Sequence, residues 1–330
     1  MSRVLITGVA GLLGSHFSRH LLDSGHTVIG VDDMSGGYAD FVDPRVRMHA
    51  VDIVDPAELN GVFQHESPEF VYHFAAYAAV GVSPFIRNFN YTVNTIGSAN
   101  VVNAAVNYGV KKVVFSSSMD VYGSVHAPPY TEVMTPLPED PYGIAKYGVE
   151  LDLRAAKDMF DLDYSIVRPH NVFGIYQNIW DKYRNVLGIW IRQTLTGGNI
   201  TVFGDGSQVR AFSDVKYYMS PFERLMSVGS GQTYNVGADQ HTTILNAARK
   251  VQRIANLHGF SPEIVHLEPR AEVKLAYSDH TKARKDLAFE DNTDFNELVD
   301  GMFRWAMTQP QRPVKMMPYE IEKSLYSFWK

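Results

Sequence analysis

One short segment limits the architecture of this chain more than any other. Thr7-Gly8-Val9-Ala10-Gly11-Leu12-Leu13-Gly14 lies directly between a β-rich run at residues 4–7 and a helical stretch that Gly25 is placed to end. In that context each glycine has a task. Gly8 can take the tight turn, Gly11 has no side chain to obstruct a pyrophosphate, and Gly14 lets the helix pack closely on the strand. The free N–H groups of the helix start, where Leu12 and Leu13 stand, then face an anion with the helix dipole behind them.

The same alternation continues through the first half. Residues 27–31, 47–51, 70–74, 112–115 and 164–167 read as further strands, and 91–108 and 142–160 as long helices. Asp55 is placed to cap another helix, with Pro56 at its first position. Strand, helix, strand in repetition predicts an α/β fold, a doubly wound parallel sheet of the Rossmann type with right-handed crossovers. Its ligand site belongs at the carboxyl ends of the strands. After about residue 175 the alternation weakens; 200–203 and 233–236 still look like strands and 243–258 like a helix. The expected division is a dinucleotide-binding domain at 1–174 and a smaller, mainly substrate-binding α/β domain at 175–330, with a segment near 210–237 returning to the first.

The second strand ends in Asp32-Asp33. A carboxylate there can accept hydrogen bonds from ribose hydroxyls and repels a 2′-phosphate, and no arginine follows within a few residues to neutralise one. NAD is therefore expected over NADP. Asp52, after the third strand, is a candidate for the adenine edge and equally for a loop cap. The net charge of −6 over 330 residues gives no basic stripe for nucleic acid. Cysteine is absent, which removes disulfides, thiolate ligands and a thiol nucleophile, and fits a reducing compartment. Regular pattern starts at Val4 and the apolar runs are short, so neither a signal peptide nor a membrane helix is expected. A cytoplasmic protein is the default. No metal site is expected: His65-Glu66 lacks the second histidine of a zinc helix.

Tyr142-Gly143-Ile144-Ala145-Lys146 carries the chemistry. Tyrosine and lysine at i and i+4 share one helix face. A nearby ammonium, with a positive nicotinamide, is expected to favour the phenolate. Tyr142 can then take a proton from a sugar hydroxyl while its carbon gives up hydride. Ser116-Ser117-Ser118 follows the fifth strand, where a hydroxyl can hold the substrate oxygen; Ser116 reads first as a turn residue.

Together these elements resemble the extended short-chain dehydrogenase/reductase family, in its nucleotide-sugar epimerase branch. Further motifs carry the resemblance over nearly the whole chain: His73-Phe74-Ala75-Ala76, Ser118-Met119-Asp120-Val121-Tyr122-Gly123, Asp140-Pro141-Tyr142, Arg168-Pro169-His170-Asn171, Gly204-Asp205-Gly206-Ser207-Gln208-Val209-Arg210 and Asp279-His280-Thr281-Lys282-Ala283. The resemblance implies Ser118, Tyr142 and Lys146 as the catalytic set. It implies NAD contacts from Gly8, Gly11, Leu12, Leu13, Asp32, Asp33, Asp52, Ile53, Phe74, Ala75, Ala76, Tyr77, Asn94 and Ser116, besides Tyr142 and Lys146. Substrate contacts are implied at Ser118, Asn171, Asn185, Val202, Arg210 and Arg270, the two arginines as the pair that holds a diphosphate. In such enzymes bound NAD takes hydride from the sugar, a 4-keto intermediate turns, and hydride returns to its other face.

Two departures stand out. Related 4,6-dehydratases carry Asp-Glu after the catalytic hydroxyl, and here those places are Met119 and Asp120. Ala211, Asp214 and Lys216 also differ from the commoner residues after the arginine. The expected activity is 4-epimerisation of a nucleotide sugar, a UDP-sugar being favoured. Dehydration, 3,5-epimerisation and decarboxylation are alternatives on the same scaffold, and a catalytically inactive dinucleotide-binding regulator is the alternative of another class. Ala276 reads equally as a packing residue and as room for a bulky sugar substituent. His170 reads as a substrate contact or as a hydrogen-bonded structural histidine. The helices at 91–108 and 142–160 are those that relatives use to pair subunits, so a homodimer is expected.

Overall fold

The structure, a computed structural model, describes residues 1–270 and 272–329. Strands β1 (Arg3–Thr7), β2 (Thr27–Val31), β3 (Arg47–His49), β4 (Phe70–His73), β5 (Lys112–Ser116) and β6 (Asp163–Pro169) are joined by a late strand, Gln232–Val236. They make a seven-stranded sheet in the order Gln232–Val236, β6, β5, β4, β1, β2, β3, with every pairing parallel. This is the doubly wound sheet of the Rossmann type. All five residues of β5 are buried, as a parallel sheet covered on both faces requires. Even Lys112 is buried; its Nζ donates to the carbonyls of Leu225 at 3.0 Å and Val228 at 2.7 Å. The strand order reverses between β1 and β4, and a crevice opens there at the carboxyl ends.

Helices α1 (Leu12–Asp23), α2 (Pro56–Glu66), α3 (Arg87–Tyr91), α4 (Gly97–Asn107) and α5 (Pro141–Phe160) cover this sheet. Asp55 caps α2 by accepting from Ala57 N at 2.9 Å and Glu58 N at 3.1 Å. Asp140 does the same for α5, accepting from Tyr142 N at 2.9 Å and Gly143 N at 3.2 Å. Four expected bounds are corrected. The helix read at 91–108 begins earlier, as α3, and passes through a π-helical turn, Thr92–Ile96, into α4. That turn places Asn94 where its amide meets Tyr77. The third strand stops at His49, where Val51 N turns back to the His49 carbonyl at 3.1 Å. The sixth is longer, reaching Pro169. Thr243 is a cap, not the first residue of its helix, and accepts from Asn246 N at 3.1 Å.

Beyond residue 175, α6 (Val186–Leu195) packs with the helices Ile244–Leu257 and Phe295–Met307 around Trp190, Val251 and Phe303. Two small sheets flank them. Ile200–Phe203 pairs with Ile264–Leu267, and Val209–Ala211 lies between His241–Thr243 and Leu275–Ala276. Residues 309–329 then run back across the molecule. Glu320 N donates to Phe85 O at 2.8 Å, and the Glu320 carboxylate accepts from Asn88 N at 2.7 Å and Phe89 N at 2.8 Å. Trp329 packs edge-on against Phe85 and Tyr183. No described helix is long and apolar enough to cross a membrane.

Candidate active site

The glycine turn is shaped by contacts that exclude a β-carbon. Gly8 has φ +73°, and a β-carbon there would lie 2.7 Å from Ala75 N. One on Gly14 would lie 2.2 Å from the Gly8 carbonyl oxygen. Gly11 is less confined: its β-carbon position has one close neighbour, the Gly8 oxygen at 3.3 Å, a tight contact but not an overlap. No side chain caps α1, and its first N–H groups, from Leu12 and Leu13 onward, are available to an anion. At the end of β2, Asp32 is buried and accepts from Ala10 N at 3.0 Å and Met34 N at 2.8 Å. Burial pushes its carboxyl above the usual range, against those two hydrogen bonds. Each oxygen keeps a lone pair for a ribose hydroxyl.

The surrounding residues divide. Thr7 holds the loop after β4: its carbonyl accepts from Phe74 N at 3.1 Å, its hydroxyl from Ala75 N at 3.3 Å, and Ala76 and Tyr77 follow. Asp33 and Asp52 cap their own turns, accepting from Ser35 N at 2.8 Å and Val54 N at 2.9 Å. Ile53 is buried against Gly97, its carbonyl taken by Asn100 at 2.9 Å. Asn94, which by the resemblance is also a structural asparagine behind the site, anchors the neighbouring loop. Its Oδ1 accepts from Tyr77 N at 2.9 Å and its Nδ2 donates to Tyr77 O and Asn90 Oδ1, so it reaches the cleft only by positioning Tyr77. A turn that β-carbons would fill, an uncapped helix start and a buried carboxylate at the end of β2 fit a dinucleotide.

Tyr142 and Lys146 share the buried face of α5. Lys146 Nζ donates to the Ser116 carbonyl at 2.9 Å and lies 5.9 Å from the centre of the Tyr142 ring. Burial brings its pKa down to about 7, with Glu150 opposing. The phenol moves the other way. Burial pushes Tyr142 above its ordinary value, Asp120 adds to the rise, and the Ser118 hydroxyl partly opposes it. The sequence reading named an ammonium together with a positive nicotinamide as favouring phenolate; the surrounding protein by itself moves the phenol the other way, through burial. Ser118 caps the short turn Met119–Tyr122, its Oγ accepting from Asp120 N at 3.1 Å.

One turn beyond Lys146, Glu150 forms a buried pair with Arg168 through contacts of 2.9 and 2.6 Å. Ser117 Oγ donates to the same carboxylate at 2.6 Å, and Arg168 Nη1 donates to the Tyr122 hydroxyl at 2.8 Å. The network ties α5 to the ends of β5 and β6.

Ser118, Asn171, Asn185, Val202, Arg210 and Arg270, read separately from the sequence, all line one cavity of about 690 Å³. Asn171 and Asn185 take the left-handed conformation, with φ +43° and +68°, and Asn171 Nδ2 is buried without a partner. Arg210 and Arg270 share Glu272, at 3.0 and 3.2 Å. Ala276 is buried in the wall. His170, also in the lining, bonds His280 at 2.9 Å, which in turn meets Asp239 at 3.0 Å. Burial lowers both rings, so the pair is neutral and structural.

Asp120, read from the sequence only against the dehydratase acids, also lines the cavity, together with residues that had no reading. Asp120 is half-buried in this wall, and burial together with the neighbouring Asp140 carboxyl pushes its pKa above the usual carboxylate range. Tyr326, Phe328 and Trp329 close one wall from the far end of the chain, and Arg184 reaches in from the loop before α6. A dense aromatic run at 317–329 was the one visible signal for that wall. Among the described residues, no group of three or more His, Asp or Glu is arranged to hold a metal.

Comparisons with known proteins agree with this geometry. The sequence profile of the NAD dependent epimerase/dehydratase family matches residues 4–237. A UDP-glucose 4-epimerase of Mycolicibacterium smegmatis is 34% identical over 297 residues, 87% of this chain and 93% of the relative. The crystal structure of UDP-glucose 4-epimerase with UDP-glucose from Thermotoga maritima superposes with a TM-score of 0.87 at 30% identity, covering 92% of this chain and 98% of that one. The UDP-glucose 4-epimerase of Thermus thermophilus, in complex with NAD, gives 0.86 at 27% identity, covering 93% and 99%.

Proposed function

The chain belongs to the NAD dependent epimerase/dehydratase family, and from there we propose that it interconverts UDP-hexoses at C4 with NAD held throughout. The observation that carries this reading is a single cavity holding both an arginine pair and the Ser118 hydroxyl that acts on Tyr142. Relatives named as UDP-glucose 4-epimerases favour uridine as the base and a hexose as the sugar.

The turn at Gly8 and Gly11 and the Asp32 carboxylate would hold NAD, which would supply hydride acceptance and return without being consumed. Tyr142 Oη takes the proton of the sugar 4-hydroxyl and gives it back, while Ser118 Oγ holds that oxygen. Lys146 Nζ, anchored on the Ser116 carbonyl, brings a cation to the cofactor side of α5. Arg210 and Arg270 exchange Glu272 for the diphosphate, which each can fork with two parallel N–H groups. Asn171 Nδ2 supplies a further donor. Burial of the phenol keeps its proton in place until a positive charge arrives, which confines ionisation to the loaded site.

A second reading rests on Asp120. A carboxyl beside Tyr142 whose pKa is raised by burial and by Asp140 can hold and deliver a proton, as loss of water from a keto sugar requires. The place occupied by Met119 lacks the other acid, so epimerisation stands first. Incubation with NAD and UDP-glucose in deuterated water separates them by NMR and mass. An epimer free of carbon-bound deuterium supports the first reading; deuterium on carbon or loss of water rejects it.

Pairing into a homodimer is supported by exposed apolar residues on the expected helices. Ile144 and Leu151 lie two turns apart on α5, 44% and 46% exposed, and Ile96 just before α4 is 53% exposed. Sedimentation velocity of the wild type and of Leu151→Arg tests this, the variant being expected to run as a monomer.

A further inference from the structure

Arg184 is far in sequence from the glycine turn, yet the fold sets its guanidinium against both loops that flank that turn. Nη2 donates to Gly36 O at 3.1 Å, and the guanidinium carbon lies 5.0 Å from the centre of the Tyr77 ring. Gly36 belongs to the loop after β2, and a β-carbon on its neighbour Gly37 would lie 2.2 Å from Ala10 O. Tyr77 belongs to the loop after β4, whose Ala75 N stands 2.7 Å from the β-carbon position of Gly8. Arg184 thus touches both loops that pack against the glycine turn, at whose end α1 starts without a side-chain cap.

Its aim is set independently. Asp181, fully buried, accepts from Nε at 3.0 Å and fixes the plane of the group. A guanidinium carries five N–H donors. Nε and one hydrogen of Nη2 are engaged, and Nη1 has no hydrogen-bond acceptor among the described residues. The side chain is 11% exposed, so that free edge faces a cleft and not bulk water. Its charge is felt both by Asp32, at the ribose end of the cradle, and by Tyr142, at the chemical end.

We propose that Arg184 binds the diphosphate of the dinucleotide from the side of the sugar cavity, closing the cradle opposite the start of α1. The inference rests on the reading of this chain as an NAD enzyme and assigns a cofactor contact to a residue outside the glycine-turn half. A planar fork with a free Nη1 suits a phosphate oxygen, and the start of α1 supplies donors on the other face. Arg184 also lines the nucleotide-sugar cavity, and Asn185 beside it does the same. Cofactor and substrate are therefore gripped by adjacent residues of one loop.

Calorimetric titration of the cofactor-free full chain with NAD and, separately, with adenosine tests the assignment. Arg184→Gln is expected to weaken NAD roughly 10- to 100-fold, the loss of charge-assisted hydrogen bonds, while adenosine affinity stays unchanged. Arg184→Lys, which keeps the charge without the fork, is expected to recover part of the loss. Equal NAD affinity in wild type and Arg184→Gln overturns the proposal, as does a parallel loss for adenosine, which marks a merely structural role. Wild type that binds no NAD rejects the underlying reading instead. A third measurement needs no variant. In wild type labelled with nitrogen-15 arginine, NAD is expected to shift the Arg184 Nε signal and adenosine to leave it; no shift with NAD overturns the proposal.

Discussion

The cofactor cradle and the sugar cavity lie side by side but are built from different material. The cradle is made of backbone. Its contour follows from places where a β-carbon does not fit, Gly8 against Ala75 and Gly14 against Gly8, and from N–H groups at a helix start. The cavity is made of side chains drawn from separate stretches of the chain, from Ala78 to Trp329. Backbone recognition tolerates wide change in side chains and almost none in chain path. Side-chain walls tolerate the reverse. A fold built this way can keep one cofactor while its substrate varies.

Four experiments put that contrast at risk. The largest effect is expected from Tyr142→Phe, which removes the proton carrier and touches neither region's shape. Turnover should fall roughly 10²- to 10⁴-fold with NAD affinity and KM unchanged, read by steady-state kinetics and calorimetry. An unchanged rate would reject the phenol as the catalytic base.

Next is Glu150→Gln, beneath both regions. It leaves Arg168, 1% exposed, without its charge partner, and should cost about 3–5 kcal/mol in urea unfolding. A loss of a few tenths would show that the network is not what holds α5.

The third is a matched pair. Gly14→Val should cost about 1–3 kcal/mol and abolish NAD retention, because its β-carbon meets the Gly8 carbonyl. Ala276→Val, in the cavity wall, should leave NAD binding intact and shift preference from UDP-N-acetylglucosamine towards UDP-glucose. If Ala276→Val weakens NAD as much as Gly14→Val does, the two regions are not separable.

The smallest effect concerns Lys146. Its native pKa of about 7 lies below the ordinary 10.5, so the unfolded chain binds more protons between those values. Stability of the cofactor-free protein should therefore rise with pH across that window. Lys146→Met should flatten that slope and stabilise the fold by about 1–3 kcal/mol at neutral pH. Thermal melts at a series of pH values decide it, and identical slopes in both proteins would contradict the burial argument.

Much of the site was readable because it is local. The glycine spacing, the carboxylate ending β2 and the tyrosine–lysine step on α5 are each contained in one element and its flanking turn. Asn94 was readable as polar and central, but its partner was not: a π-helical turn directs the amide to Tyr77. The direction in which the protein alone moves Tyr142 was not legible, for a related reason. Sequence spacing puts an ammonium one helical turn away, whereas burial, which decides the sign, depends on everything packed around the phenol. No arginine follows Asp32 closely in sequence, yet the fold brings the charge of Arg184 to bear on it from the loop before α6.

Short-range pattern was enough for the parallel sheet, the turn that receives a dinucleotide and the residues that face it from within single elements. Hydrophobic period, glycine placement and helix spacing act wherever the chain goes. Long-range packing alone made Glu272 bridge two arginines, set Asp120 against Asp140, walled the cavity with Ser324, Tyr326, Phe328 and Trp329 and brought Arg184 to Gly36. Those outcomes depend on which distant surfaces bury one another, and on the low dielectric that burial creates.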